Sequence, residues 1–192
     1  MSTSAGSAIV VSLLLAGSVV SAQDRVMLDG SPSDPRVPPA GTKAIVWLFT
    51  STDCPVSNRY APEVRRLAAR FAPHGVVFRL IYPNPDETPA SIRDHMVAFA
   101  YAGATEAFHD PAQTLAKFSG VTVTPEAAVY AGGRIVYRGR IDDRYVDLGR
   151  ERPAATVHDL ADALSAVVSG QPVLNPVTQA VGCFIADFKR EC

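Results

Sequence analysis

The segment that most constrains the fold joins a continuous apolar run to an amphipathic segment through a cysteine and a proline. Residues 44–50, AIVWLFT, are rich in β-branched and aromatic side chains and predict a strand buried on both faces. Between Asn58 and Phe71 apolar residues recur at helical spacing with arginines between them, which predicts a helix. Cys54-Pro55 lies between the two elements. The pattern therefore places one thiol at a strand–helix junction.

Beyond this junction the sequence predicts a mixed α/β domain. The expected elements are a strand at 76–82, a helix at 89–102 with Thr88 as its N-cap, a short helix between Asp110 and Gly120, a hairpin with strands at 127–130 and 134–141, and a helix at 157–168 capped by Thr156. Four strands, part parallel and part antiparallel, with helices around them are the natural assembly. We expect the domain to span residues 43–170, after an irregular lead-in at 23–42 and before a tail at 171–192.

The first 22 residues resemble a secretory signal peptide. Residues 8–20 are apolar but too short to span a bilayer comfortably, and Val20-Ser21-Ala22 offers the small residues that a signal peptidase recognises. We therefore expect cleavage after Ala22 and a periplasmic or secreted location, with an uncleaved membrane anchor as the alternative. Export permits disulfides, and the mature chain keeps an odd number of cysteines: Cys54, Cys183 and Cys192.

Composition and motifs argue against several kinds of binding site. Eighteen Lys and Arg against 19 Asp and Glu leave a net charge of −1, so a nucleic-acid partner is not expected. The chain has neither a glycine-rich phosphate loop nor histidines at metal-ligand spacing, so we expect no cofactor and no metal. The four histidines are expected on the surface or on helix faces: His74, His95, His109 and His158.

Two segments resemble those of thioredoxin-fold redoxins of the peroxiredoxin and TlpA-like branches. FTSTDCPVSNRYAPEV, residues 49–64, is similar to their active-site turn, and GVTVTPEAAVYAGGRIVYRGRIDD, residues 120–143, is similar to their cis-proline segment. The resemblance implies a thioredoxin-like fold with a central mixed sheet of four or more strands flanked by helices. It also implies that Cys54 is the reactive thiolate and that Pro125, preceded by Thr124, is a cis-proline facing it.

The sequence departs from both branches of this family. A dithiol thioredoxin has Cys-x-x-Cys, whereas the second of these positions here is Ser57. A typical peroxiredoxin has a proline seven residues and a threonine three residues before its cysteine, where this chain has Trp47 and Ser51. Ser51 can replace the threonine as a hydrogen-bonding group, but the missing proline slightly favours thiol–disulfide exchange over peroxide reduction.

The chemistry requires that the pKa of Cys54 be lowered, because the thiolate is the nucleophile. The N-terminus of a helix favours the anion, and Ser57, one turn into that helix, can donate a hydrogen bond to the sulfur. The neighbouring carboxylate of Asp53 would act in the opposite direction if it pointed inward.

An arginine of the hairpin is a further candidate. With a turn at residues 131–133, Pro125 is expected opposite Gly139, which would bring Arg138 or Arg140 toward Cys54. A cation within ~4–6 Å would lower the thiol pKa by ~1–3 units, more than one hydroxyl group. We take Arg140 as the site residue, with a solvated charged loop as the alternative.

Cys54 needs a second thiol to complete an exchange. Alone it forms an adduct with glutathione or a protein thiol, or a sulfenic acid, which another thiol must resolve. Cys183 is the candidate because its segment TQAVGCFIA is apolar and has reason to fold back onto the domain. A structural disulfide with Cys192 and an inert buried thiol are the alternatives for Cys183.

The sequence thus predicts an exported thiol redox enzyme, either a thiol–disulfide oxidoreductase or a peroxiredoxin-like peroxidase. Its partners would be a protein or small-molecule thiol or disulfide, or a hydroperoxide, together with an external thiol reductant. A copper-handling chaperone of the Sco type, with Cys54, Cys183 and a histidine as ligands, is one alternative. A non-catalytic binding module that keeps only the fold is the other. The predicted site comprises Cys54, Ser57, Cys183, Pro125, Thr124 and Arg140.

Overall fold

The computed structural model describes residues 26–27 and 33–186. Its central sheet consists of β1 (Val26–Met27), β2 (Ala44–Phe49), β3 (Val76–Tyr82), β4 (Glu106–His109), β6 (Glu126–Ala131) and β7 (Arg134–Gly139). The helices are α1 (Pro55–Phe71), α2 (Pro89–Ala98), α3 (Thr114–Ser119) and α4 (Asp159–Val168), with a 3₁₀ turn at Ala72–His74. Two short strand pairs lie outside the sheet: β5 (Val123–Thr124) with β10 (Cys183–Phe184), and β8 (Tyr145–Asp147) with β9 (Arg150–Glu151). The predicted signal peptide and Cys192 lie outside the described residues.

The central sheet is mixed, as predicted. Its strand order is β1-β4-β3-β2-β6-β7. β2 pairs parallel with β3 and β3 parallel with β4, whereas β6 pairs antiparallel with both β2 and β7. The parallel β2–α1–β3 unit and the β6–β7 hairpin thus meet at β2, which occupies the middle of the sheet.

The core lies on both faces of β2. All six residues of this strand are at most 1% exposed. Val46 and Leu48 join the larger apolar cluster, which includes the buried stripe of α1, whereas Trp47 and Phe49 join a smaller cluster on the opposite face. This alternation follows the two-residue period of a strand and explains why the run is apolar throughout.

The two longer predicted helices near the site are confirmed with shifted ends. α1 begins at Pro55 rather than Asn58, because proline is well suited to the first helical position and Cys54 serves as the N-cap residue. α2 begins at Pro89 as predicted, with the Thr88 hydroxyl accepting a hydrogen bond from the Ser91 N–H at 3.1 Å.

Other elements differ from the prediction. The four-residue strand β4 was not predicted, because only Ala107 and Phe108 in it are buried. α4 begins at Asp159, and Thr156 does not cap it, since its N–H and hydroxyl both donate to the Asp143 carboxylate.

The predicted register of the hairpin is wrong by two residues. Ala127, not Pro125, lies opposite Gly139. Ala131 belongs to β6 and pairs with Arg134, so the turn contains only Gly132-Gly133, both with positive φ, where a three-residue turn was expected. An irregularity between Val129 and Tyr130 changes the pairing further.

Residues 176–186, which we call the strap, return along the edge of the domain. The N–H of Arg138 donates to the Pro176 carbonyl at 2.8 Å, and the N–H of Thr178 donates to the Arg138 carbonyl at 3.0 Å. Gly139 allows this approach, because a Cβ there would overlap Thr178 and its φ of 151° disfavours other residues. Within the described part of the chain, no helix is long and apolar enough to cross a membrane.

Candidate active site

Cys54 lies where the central strand passes into α1. It occupies the N-cap position, with φ −80° and ψ 109°, and is 1% exposed. The N–H groups of the first helical turn have no partners within the helix, so their partial positive charge favours an anion here. The predicted position of the thiol at a helix N-terminus is therefore observed.

The strap brings Cys183 against Cys54, although the two residues are 129 positions apart. Their sulfur atoms are 2.8 Å apart and both thiols are free. β10 pairs antiparallel with β5, with Cys183 opposite Thr124, and the N–H of Ile185 donates to the Thr122 carbonyl at 3.0 Å. Gly182 permits this contact, because a Cβ there would overlap the Thr124 carbonyl group.

Thr124 and Pro125 also belong to the site. The peptide bond between them is cis, as predicted. The carbonyl oxygen of Thr124 lies 3.0 Å from Cys54 Sγ, within reach of a hydrogen bond from the thiol. The segment before the cis-proline thus contacts Cys54 through a carbonyl group and pairs with the strand that carries Cys183.

The surroundings of Cys54 lower its pKa. Burial raises the pKa, but hydrogen bonds from the Cys183 thiol, from the Ser57 hydroxyl and N–H and from the Thr124 side chain together outweigh it. Ser57 Oγ is buried and has no hydrogen-bond partner of regular geometry among the described groups, the Cys54 sulfur included. The contribution of Ser57 to the lowered pKa of Cys54 therefore depends on its proximity to the sulfur.

Cys183 is perturbed in the opposite direction. Burial, the hydrogen bond to Cys54 and the negative charges of Cys54 and Asp53 raise the pKa of Cys183 to about 12. At neutral pH the pair therefore consists of a thiolate-prone Cys54 and a protonated Cys183.

A carboxyl cluster that the sequence analysis did not predict lies beside the two thiols. Ser51 Oγ is 2.5 Å from Asp53 Oδ1 and 3.1 Å from Glu87 Oε1, which also accepts the N–H of Thr52 at 2.6 Å. Glu87 is 6% exposed, and burial raises its pKa. Ser51 thus contacts the two carboxyl groups through its hydroxyl, and its backbone carbonyl accepts the N–H of Cys54 at 3.4 Å. Nothing in the sequence around Glu87, in a proline-rich link, indicated this position.

The structure does not bring Arg140 to Cys54. Its Nε donates to the Asp159 carboxylate at 2.6 Å, and its N–H to Thr178 Oγ1 at 3.1 Å. Arg138 donates to the Gly120 carbonyl and to Glu126. No arginine is among the described groups that shift the pKa of Cys54. The reason is that the strap occupies the place beside β5 where the predicted register put Arg140.

His95 lies on a helix face, as expected, whereas His109 departs from the expectation. His95 lies on a helix but is buried, with Nδ1 2.9 Å from the Tyr82 hydroxyl and Nε2 2.8 Å from Asn58 Oδ1. Asn58 in turn donates to the Thr52 carbonyl, so this chain of hydrogen bonds supports the loop before Cys54. His109 lies on β4 instead of a helix and contacts the Asn84 carbonyl.

A cavity of about 170 Å³ opens onto the thiol pair. Asp53 is the one charged residue among those lining it, and Phe184 at its edge is 82% exposed. The residues that line the cavity are Ser51, Asp53, Cys54, Pro83, Asn84, Thr124, Cys183, Phe184, Ile185 and Ala186.

The one group of three metal-ligating side chains found in the described residues is Glu63, Asp142 and His158, and it contains no cysteine.

No model of a known protein family matches the sequence, and no curated protein matches it. Several solved structures do. An uncharacterized conserved protein from Geobacillus kaustophilus is 25% identical, with a TM-score of 0.69 over 87% of this chain and 88% of that one. A secreted Mycobacterium tuberculosis disulfide oxidoreductase, homologous to E. coli DsbE, is 18% identical, with a TM-score of 0.51 over 78% and 96%. A thioredoxin-like protein from Aeropyrum pernix is 13% identical, with a TM-score of 0.52 over 76% and 86%. Together with the sheet order and the cis-proline, these similarities show that the chain has a thioredoxin-like fold.

Proposed function

We propose that this protein is a thiol–disulfide oxidoreductase whose redox couple is formed by Cys54 and Cys183. The observation that carries the proposal is the 2.8 Å separation of the two sulfur atoms, one in surroundings that lower its pKa and one in surroundings that raise it. Cys183 would replace the second cysteine of a Cys-x-x-Cys motif, with Ser57 left as a hydrogen-bond donor. The resemblance of the active-site turn to those of peroxiredoxin and TlpA-like redoxins supports this proposal.

The proposed reaction has two exchange steps. The Cys54 thiolate attacks a substrate disulfide, forms a mixed disulfide and releases one thiolate. The sulfur of Cys183 then attacks Cys54 Sγ, so that the substrate leaves as a second thiol and a Cys54–Cys183 disulfide remains. An external thiol reductant returns the protein to the dithiol form. The same steps in reverse would transfer the disulfide to a protein thiol.

Disulfides are favoured over hydroperoxides as the oxidant. Peroxide reduction would require Cys54 to form a sulfenic acid, which Cys183 would convert to the same disulfide with release of water. Ser51, which occupies the position of the peroxiredoxin threonine, contacts carboxyl groups, and Arg140 pairs with Asp159. Neither residue is thus placed to assist a peroxide at Cys54.

We further propose that the protein acts outside the cytoplasm. Its first 22 residues have a signal-peptide pattern, and the structurally similar M. tuberculosis oxidoreductase is secreted. A thiol couple used in exchange with protein disulfides suits an oxidising compartment. Protein thiols and disulfides are therefore the proposed partners.

Disulfide mapping tests the proposal. The mature protein is reduced, treated with one equivalent of 2-hydroxyethyl disulfide, alkylated and analysed by peptide mass spectrometry. We expect a Cys54–Cys183 bond that also forms in the Cys192→Ser variant. A Cys183–Cys192 bond, or an unreactive Cys54, would contradict it. Stoichiometric retention of Cu(I) by a protein that does not react with disulfides would favour the copper-handling alternative instead.

A further inference from the structure

Gln113, between β4 and α3, combines a strained backbone with a buried side chain. Its φ of 56° lies in the left-handed region, which few residues other than glycine, asparagine and aspartate adopt. Gln113 is also only 6% exposed. A residue strained in this way persists only where the surrounding structure holds it, so its side chain calls for a role. Among the described residues, Ala100 is the other non-glycine residue with positive φ, and it is exposed just after α2.

Helix capping does not account for the Gln113 side chain. Gln113 is the N-cap residue of α3, a position whose side chain commonly accepts hydrogen bonds from the first N–H groups of the helix. Here the Asp110 carboxylate accepts three of these N–H groups instead, at 2.8, 3.0 and 3.1 Å. The side chain of Gln113 makes no capping hydrogen bond. Its amide is therefore left for contacts outside α3.

The amide of Gln113 joins the strap to the loop after β3. Its Nε2 donates to the Ala186 carbonyl at 2.6 Å and lies 3.4 Å from the Pro83 carbonyl. Carbonyl oxygens only accept hydrogen bonds, so the group that faces them is the NH₂ of the amide and not its oxygen. Ala186 and Pro83 both line the cavity that contains the two thiols. Gln113 thus holds the strap at the end that reaches the site.

The position of Gln113 follows from the central sheet. β2, β3 and β4 run parallel, so their carboxyl ends meet at one edge of the sheet. Cys54 follows β2, Pro83 follows β3 and Gln113 follows β4. The core therefore presents the amide at the same edge as Cys54, and the strap crosses that edge with Cys183.

The part of the strap that Gln113 holds is short and close to Cys183. Ala186 lies three residues after Cys183, and β10 between them has only two residues. Phe184 is 82% exposed, whereas Ile185 is partly buried and its N–H donates to the Thr122 carbonyl. A hydrogen bond at Ala186 therefore limits how far Cys183 can move from Cys54.

We propose that Gln113 is a positioning residue of the thiol–disulfide exchange, which holds the strap so that Cys183 can attack the mixed disulfide at Cys54. This inference rests on the function proposed above. After the first exchange step, the substrate group attached to Cys54 occupies space beside Cys183, so the strap must return to its place before the second step. The rate of that step is then proportional to the fraction of molecules with the strap in place. Gln113 itself exchanges neither protons nor electrons.

Hydrogen exchange tests the contact without depending on activity. In Gln113→Asn the side chain is one methylene shorter and does not reach Ala186, whereas asparagine readily adopts the left-handed conformation. We expect the Ile185 N–H of the reduced variant to exchange about fivefold faster than in the wild type, the effect of about one hydrogen bond. The Thr178 N–H, near the other end of the strap, should exchange at the wild-type rate. Unchanged exchange at Ile185, or equal acceleration at both N–H groups, would overturn the inference.

Reaction with 4,4′-dithiodipyridine separates the two exchange steps, because each step releases one thiopyridone. The first release reports the attack by Cys54, and the second reports the attack by Cys183. For Gln113→Asn we expect the second release to slow about fivefold. The first should stay within about twofold of the wild-type rate, since a small disulfide reaches Cys54 through the cavity and not through the strap. Equal slowing of both releases, or no slowing of the second, would refute the positioning role.

Two glycine variants separate the side-chain contact from backbone strain. Gln113→Gly removes the amide and tolerates positive φ, so it should slow the second release as Gln113→Asn does, and it replaces that variant if asparagine prevents folding. Ala100→Gly relieves a similar φ of 55° outside the cavity lining and should leave both releases at the wild-type rates. Equal slowing in the two glycine variants would attribute the effect to strain and contradict the inference. If the wild-type protein releases no thiopyridone, the proposed exchange function fails, whereas hydrogen exchange at Ile185 still decides whether Gln113 holds the strap.

Discussion

The two thiols of the site are held by very different parts of the molecule. Cys54 is 1% exposed and lies between the central strand β2 and the 17-residue helix α1. Cys183 is half-buried on a two-residue strand, next to Phe184, which is 82% exposed. The proposed nucleophile therefore lies in the core, whereas its proposed partner thiol lies on a peripheral segment. In the proposed couple, the second cysteine does not come from the active-site helix.

The segments that carry Cys54 and Cys183 also differ in the free energy that holds them in place. Displacing Cys54 would disturb the apolar contacts of β2 and α1, both of which contribute buried residues to the core. The strap, in contrast, is attached at the edge of the domain by backbone hydrogen bonds at Arg138 and Thr122, each contributing ~0.5–1.5 kcal/mol net, and by the packing of the partly buried Val181, Cys183 and Ile185. Segments held in this way open at lower free energy than core elements. Release of the strap would expose Cys54 and the edge of β5 while the rest of the fold stays intact.

Exchanging each cysteine for serine should separate the two roles most strongly. Cys54→Ser should abolish reaction with disulfides, because no other described thiol has a lowered pKa. Cys183→Ser should still react once, because the thiolate and its surroundings at α1 remain, and should accumulate a stable mixed disulfide at Cys54. Intact-protein mass spectrometry after a short incubation distinguishes the products. Rapid loss of the adduct in Cys183→Ser would show that another thiol resolves it.

Moving the strap without removing its thiol is expected to have the next largest effect. In Gly182→Ala the new Cβ would overlap the Thr124 carbonyl group, so the strap must shift and carry Cys183 away from Cys54. We expect formation of the Cys54–Cys183 bond to slow about tenfold, a loss of about 1.4 kcal/mol in the transition state. The first attack by Cys54 should be unaffected. Quenched-flow alkylation measures the two steps separately.

A control for this substitution is available in the β8–β9 turn. Gly149→Ala introduces a Cβ that meets no atom within 4 Å. The φ of 75° at Gly149 is itself unfavourable for alanine. It should lower stability slightly and leave both exchange steps unchanged. Equal rates of disulfide formation in the two alanine variants would argue against a precise fit of the strap.

Removing the Ser57 hydroxyl should have a smaller effect, which is confined to Cys54 and leaves Cys183 and the strap unchanged. The hydroxyl and N–H of Ser57 are among the groups that lower the pKa of Cys54, so Ser57→Ala should raise that pKa. Alkylation by iodoacetamide requires the thiolate, and its pH–rate profile should therefore move to higher pH. A profile that does not move would show that the helix N-terminus and Cys183 determine the pKa without Ser57.

The smallest effect is expected at Arg140. This side chain pairs with Asp159 and is absent from the groups that shift the pKa of Cys54. Arg140→Ala should therefore leave the pH–rate profile of Cys54 alkylation unchanged, in contrast to Ser57→Ala. The thermal midpoint should fall modestly, because the buried Asp159 carboxylate loses its partner. A shift of the profile to higher pH would restore Arg140 to the site.

The sequence determined the parts of this protein that depend on local pattern. The buried strand at residues 44–49, the helix after Cys54-Pro55 and the cis-proline at Pro125 could all be predicted, because apolar periodicity, proline and the resemblance to redoxins each act within a short stretch. The apolar tail indicated that Cys183 would fold back, since its side chains would otherwise be exposed.

Only the tertiary structure decided which groups meet at the site. A two-residue turn in place of the predicted three-residue turn, together with the irregularity between Val129 and Tyr130, shifted the hairpin register by two residues, and the strap occupies the place beside β5 predicted for Arg140. The contact of Ser51 with Glu87 joins residues 36 positions apart, and that of Cys54 with Cys183 joins residues 129 apart. Local patterns determine where an element begins and which face it buries. The distances between side chains on separate elements are determined by packing, and they decide which side chains meet at the candidate site.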